Sequence, residues 1–172
     1  MPLITLSIGS NRNPYSNVRR AVGLLREQFI NLHCSTVYES SAVGFKGDNF
    51  LNLVAYTNVD APLVEINCFL KELENHLERD RSQPRFSARP MDIDILTWGM
   101  VTGKVDGVVL PRAEILKHAF VLKPLADLLP QECHPESKKS YTQLWQELGV
   151  RFEAEGQKLW PIEFNWQFSI NQ

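Results

Sequence analysis

An α+β fold, a mainly antiparallel sheet with helices packed on it, is predicted by three features of the sequence. Short apolar, β-branched runs alternate with longer stretches whose apolar residues recur every three or four positions. The order of these runs is β-α-β-β-α-β, the split-βαβ, ferredoxin-like arrangement. The composition is that of an ordinary globular domain: 172 residues, 44% hydrophobic, 22% charged and 10% aromatic. A chain of this length buries enough surface to need neither disulfides nor a structural metal, and a single domain over 1–172 is expected.

Each element follows from its residues. Leu3 to Ile8 is a buried strand that runs into the turn Gly9-Ser10-Asn11. Asn13, Pro14 and Ser16 open a helix, and Val18, Ala21, Val22, Leu25 and Phe29 form its apolar stripe. His33 to Tyr38 reads as a second strand, Ser40 to Asn49 as a polar loop, and Phe50 to Val59 as a third strand. Pro62 opens a second helix whose stripe runs from Val64 through Leu77 to about Glu78. A loop without hydrophobic period spans 79–90, and Met91 to Thr97 is the fourth strand. Beyond it, two short helices are expected between Pro111 and Leu129 and another over Tyr141–Leu148. The extension 131–172 ends in a stretch with Trp160, Phe164 and Trp166, too aromatic to hang free, so it is expected to dock as an added strand or pack on the body.

Several function classes are excluded or disfavoured. Eighteen Lys+Arg against twenty Asp+Glu give a net charge of −2 and an isoelectric point near 6.1, so charge argues for neither nucleic acid nor an acidic membrane surface. No strand carries the aromatic run of an RNA-binding ferredoxin-like module. Neither G-x-x-x-x-G-K-[ST] nor the protein-kinase motif set is present. Cys34, Cys68 and Cys133 are odd in number and widely spaced, which reads as reduced thiols serving as small buried hydrophobes in a cytoplasmic protein. The start has no basic segment before an apolar one, and no run approaches the length of a membrane span.

The chemistry points to Asp92-Ile93-Asp94-Ile95. On a strand, Asp92 and Asp94 share one face, about 6.5–7 Å apart along the chain at ~3.3 Å per residue. Like charges so placed repel, and a hard divalent cation relieves them. The bland reading is a solvated edge strand. The preceding loop weighs against it: Arg79, Arg81, Arg85 and Arg89 fall within eleven positions, just before Asp92. Arginine forks bind phosphate oxygens bidentately. Paired carboxylates beside arginines suggest Mg²⁺ and a polyphosphate, with the long polar loop as a lid; the competing reading pairs these arginines with Asp80, Glu74 or Glu78.

On these residues the sequence resembles the 6-hydroxymethyl-7,8-dihydropterin pyrophosphokinase family over roughly residues 3–130. The resemblance rests on Gly9-Ser10-Asn11, Tyr38-x-Ser40, Phe50-Leu51-Asn52, Glu74, the arginine loop, Asp92-Ile93-Asp94-Ile95, Leu110-Pro111 and Phe120-Val121-Leu122-x-Pro124-Leu125. It implies transfer of pyrophosphate from ATP to the hydroxymethyl group of a dihydropterin, with AMP as the other product. It further implies that Asp92 and Asp94 hold two Mg²⁺ ions and that Arg79, Arg81, Arg85 and Arg89, with Glu74, Arg112 and His118, line the ATP side; Arg81 and Arg89 belong to the catalytic set. Phe50 and Phe120 would sandwich the pterin ring, and Gly9, Ser40, Val43 and Asn52 would border it. Its partners would be small molecules, with no nucleic acid or membrane, and the chain would act as a monomer. The chain departs from the family pattern at Arg112, where histidine is usual, at His118, where arginine is usual, at Phe86 for tryptophan and at Glu78 for glycine. These departures define the alternative, a divergent non-catalytic pterin- or nucleotide-binding relative.

Overall fold

A computed structural model describes residues 1–42, 46–79 and 91–167, with Arg79 described by its backbone. The first strand, β1 (Leu3–Ser10), turns Ile4, Leu6 and Ile8 into the core. Helix α1 (Pro14–Gln28) follows; Asn13 enters it with φ 40°, a left-handed conformation that asparagine tolerates, and Pro14 occupies the first turn. Its Val18, Ala21, Val22 and Leu25 are buried. Strands β2 (His33–Cys34), β3 (Val37–Ser40) and β4 (Phe50–Asn58) lead to α2 (Leu63–Arg79) and β5 (Asp92–Trp98). Helices α1 and α2 cover one face of the sheet, over Ile4, Leu6, Ile8, Leu53, Ile93 and Ile95.

The expected strand over His33–Tyr38 is split in two. The Ser35 hydroxyl accepts the Val54 N–H at 3.0 Å, and the Ser35 N–H donates to the Val54 carbonyl at 2.8 Å. A side chain thus enters the ladder, and the register moves by one residue between Cys34↔Ala55 and Tyr38↔Asn52, as a bulge does.

The sheet is antiparallel throughout, in the order β5-β1-β4-β3, the strand arrangement of the ferredoxin-like fold. A hairpin of β6 (Gly103–Val105) and β7 (Val108–Leu110) follows β5. Its turn residues Asp106 and Gly107 have φ of 49° and 83°, the signature of a two-residue hairpin turn. The chain then makes a 3-10 turn (Ala113–Leu116) and forms α3 (Ala119–Leu128) and α4 (Tyr141–Ala154). These pack on the second face of the sheet over Val54 and Leu96. Helix α4 starts on a reciprocal cap: Ser140 Oγ accepts the Gln143 N–H, and Gln143 returns a bond to the Ser140 N–H.

The last strand, β8 (Leu159–Ile162), pairs with β3. Its Trp160 Nε1 donates to Glu39 Oε2 at 3.2 Å, while Glu39 Oε1 accepts from Asn49 at 3.1 Å. The chain then crosses α1. Tyr15 stacks on Phe164 with centroids 5.8 Å apart, and the guanidinium groups of Arg19 and Arg26 lie 5.3 Å over Phe164 and Trp166. The cysteines correct one expectation. They are free thiols, but Cys68 and Cys133 are exposed and Cys34 is half-buried, because Cys68 falls off the apolar stripe of α2 and Cys133 lies on an isolated bridge to Ser140. Among the described residues no helix is long and apolar enough to cross a membrane.

Truncation after Gln157 should uncover the edge of β3 and the aromatic contacts on α1. Denaturant unfolding should show a loss of about 2–5 kcal/mol, from ladder bonds and apolar cover together; a loss under about 1 kcal/mol would mean that this segment contributes little.

Candidate active site

Register assembles the site. Asp92 lies opposite Gly9, Gly9 opposite Asn52 and Asn52 opposite Tyr38, so these four form one row across β5, β1, β4 and β3. Asp94 and Ser7 pair in the next row, and Ser40 pairs with Phe50. Ile93 and Ile95 are buried while Asp92 and Asp94 are half-buried, so the carboxylates share the face opposite the isoleucines. Gly9 keeps the row open: a Cβ there would lie 3.1 Å from Asn52 Oδ1. Asn52 and Ser40 are both buried, and the Asn52 amide donates to Ser40 Oγ at 2.8 Å.

The outer edge of β5 is closed by charged residues. Glu74, from α2, accepts the Ile93 N–H on Oε1 at 2.7 Å. The Arg112 N–H donates to the Leu96 carbonyl at 2.8 Å. The Arg112 side chain reaches back to Asp94 Oδ1 at 3.1 Å, and Lys71 approaches the same oxygen at 3.8 Å. Lys71 also pairs with Glu74 at 3.1 Å and Arg112 with Glu114 at 3.4 Å. Burial raises the Asp94 carboxyl above the usual range and the charge of Asp92 adds to this; Arg112 and Lys71 offset part of it. Glu74 is likewise raised by burial, against the Ile93 N–H and Lys71.

The aromatic residues come from β4 and α3. Phe50 opens β4 and Phe120 stands in the first turn of α3, both half-buried. His118 immediately precedes α3 and stacks on Phe120 with centroids 4.9 Å apart. Its Nδ1 is buried with no partner among the described residues, and burial lowers its pKa. The structure thus packs His118 on the aromatic side, whereas Arg112 joins the carboxylates. Tyr38, at the end of the row, donates its hydroxyl to Asp127, which also holds Lys123 at 2.7 Å. Lys71 was not singled out from sequence; its one signal is the i, i+3 spacing to Glu74 on α2. Val43, Arg81, Arg85, Arg89, the Arg79 side chain and the proposed lid lie outside the described residues.

The donor set suits Mg²⁺. Among the described residues no group of three or more His, Cys, Asp or Glu is placed to hold a metal. Mg²⁺ needs no such cage; one or two carboxylates suffice where phosphate and water complete the shell, and the shared face of Asp92 and Asp94 supplies that pair.

The model of one protein family, 7,8-dihydro-6-hydroxymethylpterin-pyrophosphokinase, matches residues 5–130. The chain belongs to this family. The pyrophosphokinase match runs from within β1 through α3 and stops before α4. The 2-amino-4-hydroxy-6-hydroxymethyldihydropteridine pyrophosphokinase of Aquifex aeolicus is 30% identical over 142 residues, 81% of this chain and 88% of that protein. The Bacillus subtilis protein of the same name is 28% identical, over 85% of this chain and 87% of its own length. A folate synthesis bifunctional protein of Arabidopsis thaliana is 30% identical over 75% of this chain, but the matched stretch spans only 27% of that longer protein. The fold matches the crystal structure of wild-type Plasmodium falciparum HPPK-DHPS with a TM-score of 0.68 at 13% identity, over 90% of this chain and 42% of that one.

The raised carboxyl of Asp94 has a consequence for stability. A carboxyl with a raised pKa favours the fold while protonated, and that contribution is lost as pH rises through its folded value. Ionised Asp94 therefore costs stability at pH 7. Asp94→Asn should raise the metal-free melting temperature at pH 7, and the gain should shrink as pH falls toward the ordinary carboxylate range. Melting curves from pH 4 to 8 check this; a lower melting temperature for the variant at pH 7 would show that the ion pairs outweigh burial.

Proposed function

We propose that this chain transfers the terminal diphosphate of ATP to the hydroxymethyl oxygen of 6-hydroxymethyl-7,8-dihydropterin. The observation that carries the reading is the row Asp92–Gly9–Asn52, which sets paired carboxylates two strands from a buried amide on the same open face. Family membership supports the reaction and the use of ATP and Mg²⁺.

In this reading the acceptor oxygen attacks the β-phosphorus, the bond from β-phosphorus to the α,β-bridging oxygen breaks, AMP leaves, and the acceptor proton passes to water. Asp92 and Asp94 hold Mg²⁺, with two ions expected, on the face they share. Bound there, Mg²⁺ supplies charge neutralisation for the phosphates and acidifies the acceptor hydroxyl. Arg112 binds the polyphosphate, together with Arg79, Arg81, Arg85 and Arg89. Glu74, on the ATP side, also positions Asp92 and Asp94 through the Ile93 N–H. Phe50 and Phe120 supply ring faces for the pterin, and Asn52, Ser40 and Val43 supply polar edges. His118, stacked on Phe120, extends that aromatic side. The enzyme works as a cytoplasmic monomer on small molecules alone. One observation favours a second reading, a non-catalytic binding relative: Arg112 sits on Asp94 Oδ1, where a metal ligand is needed.

The test is AMP formation from ATP in the presence of the dihydropterin and Mg²⁺. Wild type should turn over, and Asp92→Ala and Asp94→Ala should each lower kcat about a thousandfold or more while staying folded. Dihydropterin binding without AMP would establish the second reading. Gly9→Val should fill the opening beside Asn52 and raise the KM for dihydropterin about tenfold or more, with the KM for ATP little changed; an equal rise in both would remove Gly9 from the acceptor side.

A further inference from the structure

Five side chains of alternating sign run along the outer edge of β5: Glu74, Lys71, Asp94, Arg112 and Glu114. They come from three separate elements, α2, β5 and the segment entering the 3-10 turn. At the centre, both cations address one oxygen, Asp94 Oδ1, Arg112 at 3.1 Å and Lys71 at 3.8 Å. The side chain of Asp94 is 20% exposed, against 34% for Arg112 and 50% for Lys71, so the anion is the sheltered member and the cations face solvent. The Arg112 backbone N–H is bonded to the Leu96 carbonyl, which fixes the origin of its side chain beside β5.

We propose that Lys71 and Arg112 form a counter-ion clamp on Asp94 that a divalent cation must displace. This rests on the reading that the Asp92–Asp94 face receives a metal–nucleotide complex. A divalent ion arriving alone meets an oxygen already neutralised, and it would bring two positive charges against two more within a few ångströms. Mg²⁺ also gives up its water reluctantly. A polyphosphate changes the balance, because its oxygens offer the guanidinium an alternative anion of higher charge. The clamp then opens as the nucleotide binds: Arg112 moves from carboxylate to phosphate, Lys71 falls back on Glu74, and Asp94 is released to the metal. Arg112 thereby acts on both partners, and Lys71 is a positioning residue for Asp94. The device prevents the carboxylate pair from capturing a divalent ion without its nucleotide.

The experiment is Mn²⁺ binding to the full chain, followed by the paramagnetic resonance signal of free Mn²⁺, with no nucleotide and no pterin. Wild type should bind weakly. Lys71→Gln and Arg112→Gln should each tighten Mn²⁺ binding about fivefold or more, and the double variant further still. Lys117→Gln, which removes a positive charge that follows the 3-10 turn and lies outside the ladder, should shift it less than about twofold. With a non-hydrolysable ATP analogue present, the order reverses for Arg112→Gln, which should bind the nucleotide about tenfold more weakly than wild type. Unchanged or weaker Mn²⁺ binding in the Lys71→Gln and Arg112→Gln proteins, or equal tightening by Lys117→Gln, would overturn the clamp. Circular dichroism of each variant establishes that it is folded, and Lys71→Gln carries the test if Arg112→Gln is not. The Mn²⁺ measurement involves no turnover, so a chain that makes no AMP with the dihydropterin would refute the proposed function and leave this result standing.

Discussion

The register of β1 against its two neighbours is the constraint on which the site depends. β1 lies between β4 and β5, and through Gly9 it aligns Asp92 with Asn52. A slip of one residue would exchange the faces, turning Asp92 and Asp94 into the core and Ile93 and Ile95 out of it. The core forbids this. Ile4, Leu6, Ile8, Ile93 and Ile95 are at most 3% exposed, and each contributes about 1.5–3 kcal/mol by its burial. An ionised carboxylate pair in their place would have no partners under α1 and α2. The apolar side of the strand therefore fixes the position of the charged side.

The same residues that close the sheet edge also set its electrostatics. An edge strand leaves N–H and carbonyl groups open to unwanted pairing. Here Glu74 takes the Ile93 N–H and the backbone of Arg112 takes the Leu96 carbonyl. Arg112, and Lys71 paired with Glu74, then fall beside Asp94, whose carboxyl is under pressure from burial and from Asp92. Stability and function pull in opposite directions at this point. The pair is uncomfortable in the bare fold and becomes favourable with cations beside it, which is the condition for a site that binds a charged ligand strongly.

Much of this was legible in the sequence, and the remainder was hidden for identifiable reasons. Asp92 and Asp94 were readable because strand alternation is strict, and the βαββαβ order because both helices carry apolar stripes, although Val64, expected to start the α2 stripe, is exposed and Leu63 is buried instead. The hairpin at Asp106-Gly107 carries a turn signal, but its strands, only three residues each, are too short to show alternation. The break at Ser35 was not visible: it depends on a hydroxyl meeting the backbone of Val54 across the sheet. The same holds for Arg112 on Asp94 and for Lys71, because no periodicity in a sequence reports which helix side chain reaches a strand edge. Arg112 is placed on the nucleotide side by resemblance alone; its contact with Asp94 is a property of this chain's packing. The stacking of His118 on Phe120 was hidden in the same way, since two residues flanking the start of a helix give no sign in sequence of facing each other.

The central claim is that the open face of β5 is where metal, nucleotide and acceptor meet. The most direct measurement is a crystal structure of the complex with a non-hydrolysable ATP analogue, 6-hydroxymethyl-7,8-dihydropterin and Mn²⁺ in place of Mg²⁺, with the metal located by its anomalous scattering. The account predicts anomalous peaks in contact with both Asp92 and Asp94, Arg112 turned from Asp94 onto the phosphates, and the pterin ring lodged beside Asn52 between Phe50 and Phe120. Metal density away from β5, or a nucleotide bound with Arg112 still on Asp94, would contradict it.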